Sequence, residues 1–121
     1  MGGMVFSAAN GSTTMHIGLI VETDDPERLW NGFRFGTTAL EADHAVEVFL
    51  LGDGVTASEV ETEKFNPRGV LVQFIRDGGK LHACGTCLDS RDLAADELRP
   101  RSSMDDLLRM VERSDETITI G

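Results

Sequence analysis

The chain has 121 residues, of which 40% are hydrophobic and 26% charged, as in an ordinary globular domain with its own core. Its net charge of −10 argues against binding to nucleic acid or to an anionic membrane, since both need clustered basic side chains. No segment is long and apolar enough to span a bilayer, and residues 1–14 lack the features of a signal peptide. We therefore expect a flexible leader over residues 1–14, one domain over residues 15–121 and a cytoplasmic location.

The first half of the chain predicts a strand, a helix and a second strand. Residues 16–21 and 45–51 are apolar runs of strand length. Between them, Asp25-Pro26 is an N-cap followed by proline at the first helical position, which predicts a helix to about residue 42. One face of this helix is more aromatic than a solvated surface requires, and it packs either on another subunit or within the chain: Trp30, Arg34 and Thr37.

The second half continues the alternation after a polar connection at residues 55–64. The predicted elements are a helix from Asn66-Pro67 to Gly78-Gly79, a strand at 80–83, a short helix to about 90, an irregular stretch to 101, a helix opened by Ser103 and Asp106, and a strand at 117–120. Strands separated by helices predict an α/β fold with three layers. We expect a mainly parallel, Rossmann-like sheet of four or five strands, with helices on both faces.

Three polar segments follow strands of this predicted sheet. They are residues 22–24, Gly52-Asp53-Gly54 and the turn at Cys84. Because sites in parallel sheets gather at the carboxyl ends of the strands, we expect the three to converge. The glycines lack the spacing of a nucleotide-binding loop and predict a turn, so no nucleotide cofactor is expected. His16 and His44 begin strands, and we expect them at the far end of the sheet as surface or hydrogen-bonded side chains.

Both cysteines lie in Cys84-Gly85-Thr86-Cys87, where the third strand leads into the short helix. A thiolate at a helix start is stabilised by free N–H groups and by the helix dipole, and it is the reactive form of cysteine. Four interpretations stay open: a persulfide carrier, a dithiol that cycles to a disulfide, a metal site with His82, or two small residues packed at a turn. The metal site is the weakest, because structural zinc usually has four ligands in two pairs, and the sequence has no second pair.

Four segments extend this pattern over most of the chain: residues 23–26 with Trp30-Asn31, residues 48–55, residues 84–91 and residues 102–107. In order and spacing they resemble the DsrE/DsrF-like sulfur-relay family, which includes YchN and Tus-type proteins. Asp92 departs from the pattern, since the family often has glycine there. The resemblance implies a compact α/β fold, trimeric or hexameric rings of one or several chains, and a sulfur-accepting cysteine directly after the third strand. That position is Cys84, whereas a cysteine matching Cys87 occurs in only some subgroups.

The chemistry predicts roles for the neighbouring residues. The Cys84 thiolate is expected to attack the outer sulfur of a donor persulfide, while the N–H groups of Gly85, Thr86 and Cys87 and the Thr86 hydroxyl hold the anion. Arg91 either orients a charged partner group or is solvated or ion-paired. Two acidic residues, if close, raise the thiol pKa by like-charge repulsion, and otherwise cap a helix and a turn: Asp24 and Asp53.

We therefore predict a cytoplasmic, oligomeric sulfur carrier with sulfurtransferase-like chemistry. Its expected partners are sulfur donor and acceptor proteins and either copies of itself or paralogous chains, with no cofactor, metal, nucleic acid or membrane. The alternatives are a redox or thiol-regulated binding module that uses the cysteine pair, and a non-catalytic subunit of an oligomer.

Overall fold

A computed structural model describes residues 14–121 and confirms the α/β plan. Its five strands are all parallel, in the order β4-β3-β2-β1-β5. The strands are β1 (His16–Val21), β2 (Ala45–Leu50), β3 (Lys80–Cys84), β4 (Arg101–Ser102) and β5 (Glu116–Ile120). The helices are α1 (Pro26–Glu41), α2 (Pro67–Arg76), α3 (Gly85–Asp89) and α4 (Met104–Arg113). Except for residue 14, the predicted leader lies outside the described residues.

Two elements differ from the sequence-based expectation. The predicted irregular stretch ends in β4, a two-residue strand that pairs with Ala83 and Cys84 at one edge of the sheet. Two residues are too few to show any periodicity, so only the pairing with β3 reveals this strand. The predicted turn at Gly52 opens a 3₁₀ helix, Gly52–Glu59, which takes up the first half of the predicted polar connection at residues 55–64.

The helix starts follow the sequence signals. The Asp25 side chain accepts a hydrogen bond from the Arg28 N–H at 2.9 Å and caps α1. Ser103 and Asp106 form a reciprocal capping box at the start of α4, with bonds of 2.8 and 3.2 Å. Each side-chain cap satisfies amide groups that the first turn of a helix leaves free, and a cap of this kind contributes about 1 kcal/mol.

The two faces of the sheet are covered unequally. Helices α1 and α2 pack on one face around the fully buried Phe33, Phe74 and Leu19. Helix α4 packs on the other face, where Met110 is buried with Phe49. Since side chains alternate along a strand, His82 and Cys84 of β3 share this second face. The cysteine turn therefore belongs to the side of the sheet that α4 covers.

The aromatic face of α1 finds a partner within the chain. The Trp30 ring lies 5.2 Å from the Phe65 ring, and the Arg34 guanidinium stands 4.2 Å from the Trp30 ring centre. Packing within the chain thus accounts for these contacts, and contact of this face with another subunit stays a prediction.

Within residues 14–121, every helix is too short or too polar to cross a membrane.

Candidate functional site

The carboxyl ends of β1, β2 and β3 meet as expected. The Leu51 N–H donates to the Val21 carbonyl at 2.9 Å, which ties the end of β2 to the end of β1. A Cβ added to Gly54 would lie 2.1 Å from the same Val21 oxygen, so this close approach requires glycine. The Gly52 N–H in turn points at Cys87 beyond the end of β3. The two loops and the cysteine turn form one continuous site.

Cys84 is the last residue of β3 and the N-cap of α3. Its side chain follows the strand alternation and packs with Phe49 and Met110, and the residue is only 4% exposed. It makes no capping hydrogen bond with the helix. The thiol is therefore buried in an apolar cluster in this chain, rather than open at the mouth of the helix as expected. Anion binding by the amides of Gly85, Thr86 and Cys87 stays a prediction.

Cys87 is partly exposed and lies beside Cys84. The Gly52 N–H donates to Cys87 Sγ at 3.2 Å, from a residue whose φ of +53° favours glycine. Burial, followed by the contact with Cys84, raises the pKa of the Cys87 thiol, while the Gly52 amide and Arg91 act in the opposite direction. The Cys87 thiol is therefore mostly protonated near neutral pH, with two groups in place that favour its thiolate.

Arg91 is held between Cys87 and Asp53, one of the two predicted acidic residues. It pairs with Asp53 at 2.8 Å, and it donates to the Cys87 carbonyl oxygen at 3.1 Å. The hydrogen bond that Arg91 donates to Asp53 is the main cause that raises the pKa of Arg91, with smaller contributions from Cys87 and the exposed Asp24. The charge of Asp53 is thus matched by Arg91. Repulsion of the Cys84 thiolate by Asp24 and Asp53 stays a prediction.

Arg101 also belongs to the site, although no local pattern in the sequence indicates it. Its guanidinium makes two bonds to Asp89, the last residue of α3, at 2.9 and 2.7 Å. A Cβ on the buried Gly85 would lie 2.9 Å from this guanidinium, so Arg101 covers the residue next to Cys84. Asp89 is the main cause that raises the pKa of Arg101, and Cys84 contributes less. Its partner Asp89 is 12 residues away, and the short strand β4 is what places the two together.

The remaining predicted residue of the cysteine turn is Thr86. It is exposed in the first turn of α3. Hydrogen bonding of its hydroxyl to a bound anion stays a prediction.

A second polar cluster lies nearer the amino ends of the strands, and its centre is Glu47, which is 2% exposed. The Nε2 atoms of His16 and His82 lie 2.6 and 2.8 Å from its carboxylate. Arg113 makes two bonds to the same carboxylate, at 2.6 and 2.7 Å. The hydrogen bond from Arg113 is the largest cause that lowers the pKa of Glu47 to about 2. Glu47 is therefore ionised and fully hydrogen bonded.

Hydrogen bonds also orient the histidines. His82 shares a face with Cys84 but directs Nε2 to Glu47, while its ring stacks on Phe49 at 5.8 Å. His44 accepts a hydrogen bond from the Met15 N–H at 2.9 Å. Among residues 14–121, no three His, Cys, Asp or Glu side chains are grouped so that they could hold a metal ion.

The sequence and the fold both match known proteins. A sequence model of the DsrE/DsrF-like family matches residues 15–120. The fold is similar to that of the YchN protein of E. coli, with a TM-score of 0.75 and 19% identity over 88% of this chain and 99% of that one. A conserved protein of unknown function from Bacteroides thetaiotaomicron has a TM-score of 0.71 and 13% identity, over 87% of this chain and 94% of its own.

Two archaeal proteins are similar in sequence. An uncharacterized protein of Methanopyrus kandleri is 33% identical over 98 residues, which cover 76% of this chain and 81% of that protein. Another, from Methanocaldococcus jannaschii, is 31% identical over 109 residues, or 83% of this chain and 96% of that protein. Both matches extend over most of the described domain.

Proposed function

Because the chain belongs to the DsrE/DsrF-like family, we propose that it is a cytoplasmic sulfur carrier. It accepts sulfane sulfur from a donor protein as a persulfide on Cys84 and passes that sulfur to an acceptor protein. The observation that carries this proposal is the cysteine pair itself. Two free thiols lie side by side at the carboxyl edge of a parallel sheet, where such folds place their sites.

The surroundings of Cys84 suit a stored persulfide. Phe49 and Met110 enclose the sulfur in an apolar cluster, which restricts access by water and small thiols. Two guanidinium groups, those of Arg91 and Arg101, stand near the cysteine turn. Their positive charges favour an anionic persulfide over a neutral one, with the amides at the start of α3 and the Thr86 hydroxyl as further donors.

The proposal includes assembly with further copies of the same chain into a trimer or hexamer. It is supported by an exposed apolar stripe on α4 that one chain leaves uncovered: Met104, Leu108 and Val111. These residues follow helical spacing and face away from the buried Met110. Native mass spectrometry at micromolar concentration is expected to show an oligomer, and a monomer throughout would contradict assembly from this chain alone.

The carrier function is tested by intact mass spectrometry after exposure to a persulfide donor such as glutathione persulfide. The wild type is expected to gain the mass of one sulfur atom, and a reductant is expected to remove it. The control is the double variant Cys84→Ser/Cys87→Ser, which gains nothing. A wild type that gains no sulfur, or a double variant that gains as much, overturns the proposal.

A second candidate is a dithiol redox module, and the contact between the Cys84 and Cys87 side chains favours it. In that case a mild oxidant closes a reversible disulfide without any persulfide present. Each single cysteine variant then loses function to the same extent. A chain that stays reduced under these conditions excludes this candidate.

A further inference from the structure

We propose that Cys87 is the entry thiol, which takes sulfur from the donor and hands it to the buried Cys84. This inference rests on the proposed carrier function. It assigns separate roles to the two cysteines, one for contact with the donor and one for storage.

The first argument is exposure. Cys84 is 4% exposed, and the side chains around it belong to the buried cluster on the α4 face. A donor persulfide is carried on another protein, so its outer sulfur must come within bonding distance of the thiol it meets. Cys87 is partly exposed at the same turn and satisfies this requirement without displacement of the cluster.

The second argument concerns the groups around Cys87. The Gly52 N–H lies 3.2 Å from its sulfur, and Arg91 is held beside it by Asp53 and by the Cys87 carbonyl. An amide donor and a guanidinium both favour the negative charge that the sulfur carries during attack. Cys84, in contrast, makes no capping hydrogen bond with the helix. Cys87 Sγ therefore has an amide donor in place, and the positive charge of Arg91 lies nearby.

The third argument is the spacing of the two residues. Cys84 caps α3 and Cys87 lies three positions further on, so the two side chains meet on one side of the helix start. A sulfur atom bonded to Cys87 consequently lies next to Cys84, and transfer between them needs no change of the backbone.

The transfer has two balanced steps. In the first, the Cys87 thiolate attacks the outer sulfur of the donor persulfide, the donor's S–S bond breaks, and the donor thiolate leaves with the proton that Cys87 released. In the second, Cys84 attacks the same outer sulfur, its bond to Cys87 breaks, and Cys87 takes back a proton as Cys84 gives one up. The sulfane sulfur keeps its oxidation state throughout, so no oxidant or reductant is required.

The test compares the initial rates of sulfur uptake from glutathione persulfide in the wild type, Cys87→Ser and Cys84→Ser. Cys87→Ser is expected to take up sulfur about tenfold more slowly. Without Cys87, the donor can react only when the cluster around Cys84 opens locally, and we take the equilibrium constant for this opening as about one tenth. Cys84→Ser is expected to gain one sulfur atom at close to the wild-type rate, located on Cys87 by fragmentation. Equal rates in the wild type and Cys87→Ser, or no uptake by Cys84→Ser, overturn the inference.

A second measurement uses the wild type alone, so its result does not depend on whether the variants fold. The wild type is quenched at increasing times, and fragmentation of the peptide with both cysteines locates the added sulfur. We expect it first on Cys87 and later on Cys84, whereas sulfur that is on Cys84 from the earliest time contradicts the relay. If the wild type takes up no sulfur at all, the carrier function fails as well. If wild type and Cys87→Ser take it up equally, the relay alone fails.

Discussion

The two buried polar sites of this sheet differ in how fully they are hydrogen bonded. Each carboxylate oxygen of Glu47 is bonded to Arg113 and to one imidazole, whereas the sulfur of Cys84, at the other end of the strands, makes no capping hydrogen bond. Both groups are buried on the α4 face of the same sheet. The Glu47 cluster joins β1, β2, β3 and α4, so it fastens the helix to the sheet. The thiols of the cysteine turn, in contrast, make few of the hydrogen bonds that they could make. A buried polar group whose hydrogen bonds are all satisfied is costly to move, whereas one with few hydrogen bonds is free to react.

Removal of the Glu47 carboxylate is expected to have the largest effect on stability. Glu47→Ala leaves Arg113 and two histidines without their shared partner and opens a buried site. We expect a loss of about 3 kcal/mol, the low end for a broken buried pair, since the Arg113 side chain is 43% exposed and can reach water. Urea unfolding measures it, with exposed Glu112→Ala as the control at about 0.5 kcal/mol or less. Equal stability of the two variants would show that the cluster does not anchor α4.

Acid is expected to weaken the same cluster without a mutation. The pKa of Glu47 is lowered from 4.5 to about 2, so the folded state favours the ionised carboxylate. The resulting stability is fully present above pH 4.5 and is lost as the pH falls toward 2, by about 3 kcal/mol. Unfolding free energies of the wild type and Glu47→Gln, measured across this range, isolate the contribution of Glu47 from that of other carboxylates. Parallel curves for the two proteins would contradict the assignment.

The smallest effect is expected at the cysteine end. Arg101→Gln removes one exposed positive charge near Cys84, so the added sulfur should move from Cys87 to Cys84 about threefold more slowly, because a single charge interaction in water is weak. Fragmentation of wild type and variant at increasing quench times measures this step. Its pair with Asp89 is exposed on both sides, so stability should hardly change. Arg76→Gln, at the end of α2 and away from the cysteine turn, is the matched control. A similar slowdown in both variants would mean that net charge, and not position, sets the rate.

The two ends of the sheet are therefore expected to respond differently to mutation. Changes at Glu47 are expected to lower stability while the folded fraction still takes up sulfur. Changes at the cysteine turn are expected to alter uptake while stability stays nearly constant. A variant at either end that changed both quantities together would indicate that the two clusters are coupled through β3.

Local patterns in the sequence determined much of the fold. Asp25-Pro26 and the Ser103–Asp106 box predicted the starts of α1 and α4, because capping depends on residues within one turn of each other. The apolar runs predicted four of the five strands, and their alternation with helices predicted a parallel sheet. The position of Cys84 after the third strand was also readable from the sequence, as was the convergence of three loops at the carboxyl edge.

The tertiary structure alone decided the environment of each functional group. Glu47 and Arg113 are 66 residues apart, and Asp53 and Arg91 are 38 apart, so no local pattern records that they meet. The burial of Cys84 depends on Phe49 and Met110, which come from another strand and from α4. Capping and periodicity act over a few residues, whereas burial and ion pairing depend on which distant segments pack together. For this protein, that packing separates a closed thiol from an accessible one.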